Sequence, residues 1–97
     1  MKKNYLRMIR GMKKSRRKEW SVYILRCGDG SLYTGIAKDP EARRAAHASG
    51  RGAAYTRSRL PITLIYRKDG FTRSGALIEE ARIKRLPRAA KLRIVSR

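Results

Sequence analysis

The sequence predicts a single α+β domain, and three observations indicate that class. The chain has 97 residues, which suits one domain. Two runs rich in branched and aromatic residues, 20–27 and 32–37, flank the sequence GDGS at 28–31, which is the pattern of a β-hairpin with a glycine turn. Two later segments start with capping residues and stop at glycine or proline, as helices do.

The register of the hairpin decides where Tyr23 and Tyr33 point. If Cys27 pairs with Leu32 across a four-residue loop, Tyr23 pairs with Ile36 and the two tyrosines lie on opposite faces of the sheet. An odd number of loop residues, or a bulge in one strand, brings both phenols to the same face. The sequence leaves both registers open.

A first helix is predicted from Asp39, which can cap free backbone N–H groups, and from Pro40 in the first helical position. It should run to about Ser49 and stop at Gly50. Its only apolar positions for burial are small, which predicts a weakly anchored helix; they are alanines 42, 45 and 46.

The second half of the chain begins with a loop at 51–60 that is rich in Arg, Gly and Ala. Residues 62–67 are predicted to form a third strand that is apolar on both faces and well covered. The sequence KDG at 68–70 is predicted to turn the chain. A second helix should follow from about residue 72 or 74 to before Pro87, and a last short helix should span 88–95.

Charge is the strongest signal in the composition. The chain has 26 Lys and Arg against 7 Asp and Glu, a net charge of +19, which favours a polyanionic partner such as DNA or RNA. Residues 1–19 hold nine basic residues and one acidic residue, so we expect a flexible basic arm ahead of a domain at 20–97. Met12 offers an alternative start, in which case residues 1–11 are not translated.

The single cysteine, Cys27, excludes an internal disulfide, and the sequence has no Cys/His cluster of the zinc-binding type. We therefore expect a reducing, cytoplasmic location, with Cys27 as a small core residue. Apolar runs are far shorter than the roughly 20 residues of a membrane span. The expected molecule has no membrane partner, and a monomer is slightly favoured.

Glu80 is unusual because it lies among apolar residues of the second helix. On a projection of about 100° per residue, Ala76 and Ile83 lie close to it. Leu77 extends the same side, whereas Glu79 faces away. A carboxylate there requires an arginine partner, a bound proton, or a hard cation such as Mg²⁺, which binds through one or two carboxylates together with water and phosphate.

Four other side chains carry potential chemistry. Arg43 and His47 stand four residues apart and share a helix face, where they would give a phosphate-binding guanidinium and a proton-transfer group, or simply a solvated pair. Tyr23 and Tyr33 are singly ordinary core or sheet residues, although nearby positive charge lowers a phenol's pKa. Gly35 indicates a close approach of backbone or ligand, or a bulge.

The motif pair VYIL at 22–25 and LYTGIA at 32–37 resembles the paired signature of the GIY-YIG nuclease superfamily. The resemblance continues into AKDPEARRAAHASGRG, where Arg43 lies eight residues after Gly35 and His47 lies four residues later. Glu80 matches the acidic metal ligand of the later helix. The run from AAYTRSRL to IEEARIKRL is similar to the small stand-alone bacterial branch, often called YhbQ-like, and the match covers residues 20–95.

This resemblance implies a three-stranded antiparallel sheet flanked by helices, and hydrolysis of phosphodiester bonds with Mg²⁺ or Mn²⁺. It implies that Tyr23 and Tyr33 line the site, one of them as general base, with Tyr33 favoured. Arg43 would stabilise charge on the phosphate, His47 would assist by hydrogen bond or proton transfer, and Glu80 would bind the metal. Two positions depart from many relatives: Ile36 replaces a lysine or asparagine, and Leu92 replaces an asparagine.

The leading hypothesis is therefore a metal-dependent endonuclease, with single-stranded or branched DNA as the expected substrate and DNA repair as the expected setting. The alternative is a non-catalytic basic module that binds DNA or RNA, and a third class is attachment to a membrane surface through the arm. Tyr55 is expected to stack on an unpaired base or to pack under its loop. The residues expected to contact nucleic acid are Gly35, Lys38, Arg44, Arg51, Tyr55 and Arg57.

Overall fold

The computed structural model describes residues 17–96, so the predicted arm lies almost wholly outside the described residues. Three strands form one antiparallel sheet in the order β2-β1-β3, which confirms the α+β class and the three-stranded sheet. The elements follow one another as β1 (Trp20–Arg26), β2 (Leu32–Ala37), α1 (Pro40–Ala48), α2 (Ala54–Arg57), β3 (Thr63–Phe71), α3 (Arg73–Lys84) and α4 (Arg88–Val95).

The β1–β2 loop has an odd number of residues. Arg26 pairs with Leu32, so the loop spans 27–31, and the register built on a four-residue loop is wrong. Tyr23 pairs instead with Gly35, and Tyr33 stands two residues before Gly35 on the same strand. Because side chains alternate between faces along a strand, Tyr23 and Tyr33 lie on the same face of the sheet.

The two faces of the sheet carry separate cores. The tyrosine face lies beneath α1, and its buried cluster consists of Tyr23, Leu25, Cys27, Ala37 and Ile62. The aliphatic face lies against α3 and α4, and its buried cluster consists of Val22, Ile24, Ala76 and Ile83. The fold is thus a central sheet with helices on both sides, and each face can be changed separately.

Helix α1 begins at the predicted cap, because the Asp39 carboxylate accepts a hydrogen bond from the backbone N–H of Ala42 at 3.1 Å. The predicted buried face of small alanines is wrong, since Pro40 and His47 are the buried residues of this helix. Seven residues make about two helical turns, so Pro40 and His47 share one side, with Arg43 between them. The helix is anchored by an imidazole.

The region from 51 to 71 differs most from prediction. The loop at 51–60 contains the short helix α2. The sequence KDG, predicted to turn the chain, lies inside β3, which is half-exposed and forms an edge of the sheet. Asp69 and Gly70 stand together opposite Ser21, a bulge in which the Ser21 hydroxyl donates to Asp69 at 2.5 Å and Gly70 has a φ of 89°. The bulge lets the strand continue where the sequence indicates a turn.

The two C-terminal helices lie where they were predicted. Thr72 caps α3, with its hydroxyl oxygen accepting from the backbone N–H of Gly75 at 3.0 Å. In α4, Ile94 and Val95 pack against the aliphatic face, whereas Leu92 is exposed. Among residues 17–96, no helix has the length and apolar character needed to cross a membrane.

Candidate functional site

The side chain of Tyr23 crosses over Gly35 to reach the edge of the sheet formed by β2. A Cβ atom at Gly35 would lie 2.5 Å from the Tyr23 phenol oxygen, so only glycine leaves room for the ring. The close approach expected at Gly35 is therefore made by a side chain. Tyr23 itself is buried, with 1% of its surface exposed.

A chain of hydrogen bonds runs from Tyr23 into the core beneath α1. The Tyr23 phenol oxygen lies 3.3 Å from Nε2 of His47, and Nδ1 of His47 lies 2.7 Å from the hydroxyl oxygen of Thr56. That hydroxyl donates to the Ala53 carbonyl at 2.9 Å. A hydroxyl has one hydrogen, so Thr56 can only accept from His47, and Nδ1 carries the imidazole proton. Nε2 is then the acceptor, and Tyr23 donates to it.

The charge states of these groups agree with that assignment. Burial lowers the pKa of His47 below its ordinary value of 6.5, and the positive charge of Arg43 lowers it further. Burial raises the pKa of Tyr23 above 10.0, and neighbouring Tyr33 and Glu80 act in the same direction. The Arg43 guanidinium opposes that rise in the pKa of Tyr23. Phenol and imidazole are both neutral at pH 7.

Aromatic rings continue from His47 towards the surface. The ring of Tyr33, which is half-buried, lies 5.2 Å from the ring of His47 and 6.1 Å from that of Tyr55. The Arg59 guanidinium carbon lies 3.9 Å from the centre of the Tyr55 ring. This series of rings leads from the buried hydrogen-bond chain to the half-buried guanidinium of Arg59, which is paired with the Asp29 carboxylate at 3.1 Å.

Thr56 and Gly52 belong to this site but were not predicted from the sequence. A Cβ atom at Gly52 would collide with Nδ1 of His47, so this position also needs glycine. Thr56 lies nine residues from His47 in a separate short helix and is fully buried. Neither contact has a periodic sequence signal, because both depend on how the 51–60 segment folds back over α1.

Glu80 approaches the site from α3. Its side chain is 19% exposed, and its carboxylate lies 3.5 Å from the Nζ atom of Lys84. Its negative charge contributes to the raised pKa of Tyr23, which puts the two groups in the same electrostatic environment. Its ion-pair partner is thus a lysine one turn away, in place of the arginine considered from the sequence.

The prediction that Glu79 faces away from the apolar side is wrong. Its side chain is 15% exposed, and its two carboxylate oxygens accept from Arg82 at 2.6 and 3.0 Å. The apolar stripe of α3 that packs against the sheet is narrower than the helical projection indicates. Ala76 and Ile83 are buried, while Leu77 is 40% exposed. The two glutamates therefore flank this stripe, one on each side.

Comparison with known proteins decides the family. The family model of the GIY-YIG catalytic domain matches residues 19–93. The chain belongs to the GIY-YIG nuclease family. The resemblance of the two tyrosine motifs to this family is thereby confirmed.

The relatives of this GIY-YIG chain are small bacterial proteins, as expected for the stand-alone branch. It is 49% identical over 71 residues to a UPF0213 protein of Streptococcus sanguinis, covering 73% of this chain and 82% of the relative. It is 49% identical over 74 residues to a UPF0213 protein of Staphylococcus epidermidis, covering 76% and 90%. Solution NMR structures resemble the fold: the UPF0213 protein of Bacillus halodurans has 43% identity, a TM-score of 0.52 and coverage of 79% and 82%. A protein from E. faecalis has 36% identity, a TM-score of 0.53 and coverage of 84% and 88%.

The residues expected to contact nucleic acid in this GIY-YIG chain differ in exposure. Gly35 is buried beneath Tyr23, and Arg44 is half-buried beside Glu41. Four residues remain exposed on the surface around the site: Lys38, Arg51, Tyr55 and Arg57. Three of these four residues are cations, namely Lys38, Arg51 and Arg57, so the described surface around the GIY-YIG site is positively charged.

The carboxylates of the GIY-YIG site limit the kind of metal it can hold. Among residues 17–96, no group of three or more His, Cys, Asp or Glu side chains is arranged to hold a metal ion. Glu80 is the carboxylate whose charge reaches Tyr23. A single carboxylate fits Mg²⁺, which commonly fills its remaining positions with water and substrate phosphate.

Proposed function

We propose that this protein is a metal-dependent endonuclease that hydrolyses phosphodiester bonds in DNA, with single-stranded or branched DNA preferred. The observation that supports this most strongly is that Tyr23 and Tyr33 share one face of the sheet, and that the charges of Arg43 and Glu80 both act on the pKa of Tyr23. The chain that carries these groups has a net charge of +19, which attracts the phosphate backbone. Membership of a nuclease family supports the same activity.

Tyr33 is the proposed general base. A general base must be reached by the attacking water, and Tyr33 is half-buried whereas Tyr23 is 1% exposed. The Tyr23 phenol is already committed to Nε2 of His47, and its raised pKa keeps it protonated at neutral pH. We therefore assign removal of the water proton to the Tyr33 oxygen.

Tyr23 and His47 are proposed to position the site. Both nitrogens of His47 are occupied, one by Tyr23 and one by Thr56, and His47 is fully buried. This favours the hydrogen-bonding role over proton transfer to the substrate. The chain holds the Tyr23 oxygen beside Arg43, whose guanidinium then faces the phosphate and stabilises charge that develops during attack.

Glu80 is the proposed ligand for Mg²⁺ or Mn²⁺. When bound, the metal would supply Lewis-acid stabilisation of the phosphate and leaving oxygen. Lys84 pairs with the same carboxylate at 3.5 Å, and its side chain is 55% exposed, so it can move away when a cation binds. Within residues 17–96, no arginine holds the Glu80 carboxylate in a bidentate pair, whereas Arg82 holds that of Glu79 in this way.

The two glutamates of α3 provide the decisive test. The Glu80→Ala variant should lose cleavage of single-stranded and branched DNA in Mn²⁺, by roughly 100-fold or more, while keeping its DNA affinity. The matched Glu79→Ala variant removes a similarly buried carboxylate next to it and should cut normally. Equal cleavage by Glu80→Ala and the unaltered protein, purified side by side, would reject the metal role and point to a contaminating nuclease.

A non-catalytic module that binds DNA or RNA is the second candidate, and the Glu80–Lys84 ion pair favours it. If that pair persists, no carboxylate is available for a metal. This function predicts binding that weakens with salt, with a log–log slope of about −0.7 to −0.9 per neutralised phosphate. It also predicts that single-stranded and branched DNA both stay uncut, whether the buffer contains Mn²⁺ or EDTA.

A further inference from the structure

A groove of about 390 Å³ opens beside the proposed active site, where β2 leads into α1. Its lining combines apolar groups, notably Trp20 and Ile36, with the cations Lys38 and Arg43 and one carboxylate, that of Asp39, which caps α1. Pockets for small molecules and single cofactor groups have volumes of about 300–1,000 Å³. The groove is therefore large enough for one nucleotide and too small for a duplex.

Trp20 gives this groove an aromatic surface. Its ring is half-buried, and two cations lie near it: Nζ of Lys38 at 5.6 Å and the guanidinium carbon of Arg73 at 5.8 Å from the ring centre. Lys38 has 59% of its side chain exposed and pairs with exposed Glu19 in the described part of the chain, so it can move to let a ligand reach the ring. An aromatic ring with cations over it suits a planar group that carries a phosphate, once Lys38 has moved off the ring.

Arg43 connects this groove with the proposed active site. It lines the groove, and the same guanidinium acts on Tyr23 and His47 through its charge. A phosphate bound at Arg43 therefore has the groove directly beside it. The next base along a strand would need to enter the groove unpaired, because a paired base stays stacked inside its duplex.

We propose that this groove is a binding subsite for one unpaired nucleobase, which stacks on Trp20 next to the phosphate held by Arg43. The inference rests on the proposed nuclease function for the identity of that phosphate. It supplies a structural reason for the preference for single-stranded or branched DNA. Stacking on an aromatic side chain is tolerant of base identity, so the subsite selects strand structure more than sequence.

Trp20 is the only tryptophan of the 97-residue chain, so its fluorescence reports on the groove directly. We would titrate the full-length Glu80→Ala protein in EDTA, which keeps the strand intact, with oligo(dT). Abasic DNA of the same length and an oligo(dT)·oligo(dA) duplex serve as matched probes. We expect saturable quenching by oligo(dT) only, while the abasic strand binds through its phosphates without quenching.

Two substitutions extend the test to affinity. Trp20→Ala should weaken oligo(dT) binding by roughly 5- to 150-fold, from about 1–3 kcal/mol per stacked base, and leave abasic binding unchanged. Trp20→Phe keeps a stacking surface and should retain most of the affinity. Circular dichroism checks that both variants fold. If Trp20→Ala does not fold, the fluorescence titration of the protein that retains Trp20 still tests the nucleobase subsite.

The outcomes separate the subsite from the nuclease activity. Equal quenching by the abasic strand or the duplex overturns the subsite, as does unchanged oligo(dT) affinity in a folded Trp20→Ala variant. Base-dependent quenching, without cleavage by the unaltered protein in Mn²⁺, supports the subsite and rejects the nuclease. Cleavage without base-dependent quenching keeps the nuclease and rejects the subsite.

Discussion

The two faces of the sheet are built from different chemistry. The buried cluster of the aliphatic face contains only apolar residues, contributed by β1 and α3. Under the tyrosine face, the apolar cluster is joined by a hydrogen-bonded phenol, imidazole and hydroxyl: Tyr23, His47 and Thr56. Each of these polar groups requires a partner, because an unpaired buried polar group destabilises the fold.

The polar hydrogen-bond network therefore lies under the tyrosine face, the aliphatic face is packed from apolar residues, and Glu80 is supplied by α3, the helix that covers the aliphatic face. In residues 17–96, no buried side-chain nitrogen or oxygen lacks a hydrogen-bond partner, so the polar network is complete. A complete network holds its members in defined positions, which a catalytic site needs. Substitutions on the two faces should therefore have different effects on cleavage and on unfolding.

The largest effects should come from the two phenols. Tyr33→Phe should reduce cleavage by about 10²–10⁴-fold, the usual contribution of a general base, and leave the free energy of unfolding nearly unchanged. Tyr23→Phe should reduce cleavage and also destabilise the protein by roughly 1–3 kcal/mol, because Nε2 of His47 loses its donor. Single-turnover cleavage and urea unfolding measure the two quantities. If Tyr33→Phe cuts normally and Tyr23→Phe is inactive, the general base is Tyr23 and not Tyr33.

The next effect should come from the glycine beneath the Tyr23 ring. In Gly35→Ala the new methyl group would lie 2.5 Å from the phenol oxygen, so the ring must shift. Displacement of a site group by about 1 Å can reduce the rate about 10²-fold. Gly75→Ala is the matched control, since its Cβ would meet nothing closer than 3.2 Å, and it should cut normally. A Gly35→Ala protein with unaltered cleavage would contradict the crossing of Tyr23 over β2.

Elements with local signals were predictable from the sequence. The Asp39 cap was identified, and the start of α3 was placed at Thr72 or Ser74, because the cap, the following turn and the stop signal are all close in the sequence. The family was predictable because the tyrosine motifs and Arg43 are contiguous with these signals. These features need no knowledge of the tertiary structure.

The features that were missed or left open depend on contacts between segments. The sequence left the hairpin register open because it depends on one loop residue, and β3 continues through a predicted turn because the Ser21 hydroxyl bonds to Asp69, 48 residues away. The buried side of α1 was misassigned because its anchor is His47, a polar residue that burial rules place outside. Thr56, which makes that burial possible, lies in a different element. Hydrophobic periodicity cannot predict which residue will form the hydrogen bond that a buried polar group needs.

A smaller effect should follow from the hydroxyl that holds His47. Thr56→Val keeps the shape of the side chain but removes the acceptor for Nδ1–H, which should destabilise the protein by about 1–3 kcal/mol. Thr56→Ser keeps the hydroxyl and should recover most of that loss. On the aliphatic face, Ile83→Val should destabilise by about 0.5–1.5 kcal/mol without changing cleavage, whereas Thr56→Val should also slow it. Equal stability of Thr56→Val and Thr56→Ser would show that the Thr56 hydroxyl is not part of the hydrogen-bond chain.

The smallest effect should be a pH dependence of stability that originates from the tyrosine face. Burial, and then the charge of Arg43, lower the pKa of His47 below 6.5 in the folded protein, so the unfolded chain binds a proton more readily. Stability from the neutral imidazole is complete above pH 6.5 and is lost as the pH falls through that value towards the folded pKa. The carboxylates with lowered pKa values, Asp29, Asp69 and Glu79, have ordinary values of 3.8 to 4.5 and contribute only at lower pH. Urea unfolding at pH 7 and pH 5 should therefore show a loss attributable to His47, the only histidine of the chain.

The single histidine also allows a direct check of the hydrogen-bond chain. An NMR titration of the His47 ring should give a midpoint below 6.5, and the ring nitrogen shifts at pH 7 should report a proton on Nδ1. Glu80→Ala removes a charge near Tyr23 and should leave this tautomer unchanged, whereas Thr56→Val should disturb it. A midpoint at or above 6.5 would mean that burial and Arg43 do not lower the pKa of His47. A proton on Nε2 would reverse the hydrogen bond, with Nε2 donating to the Tyr23 oxygen, and the Thr56 hydroxyl would then have to donate to Nδ1 in place of the Ala53 carbonyl.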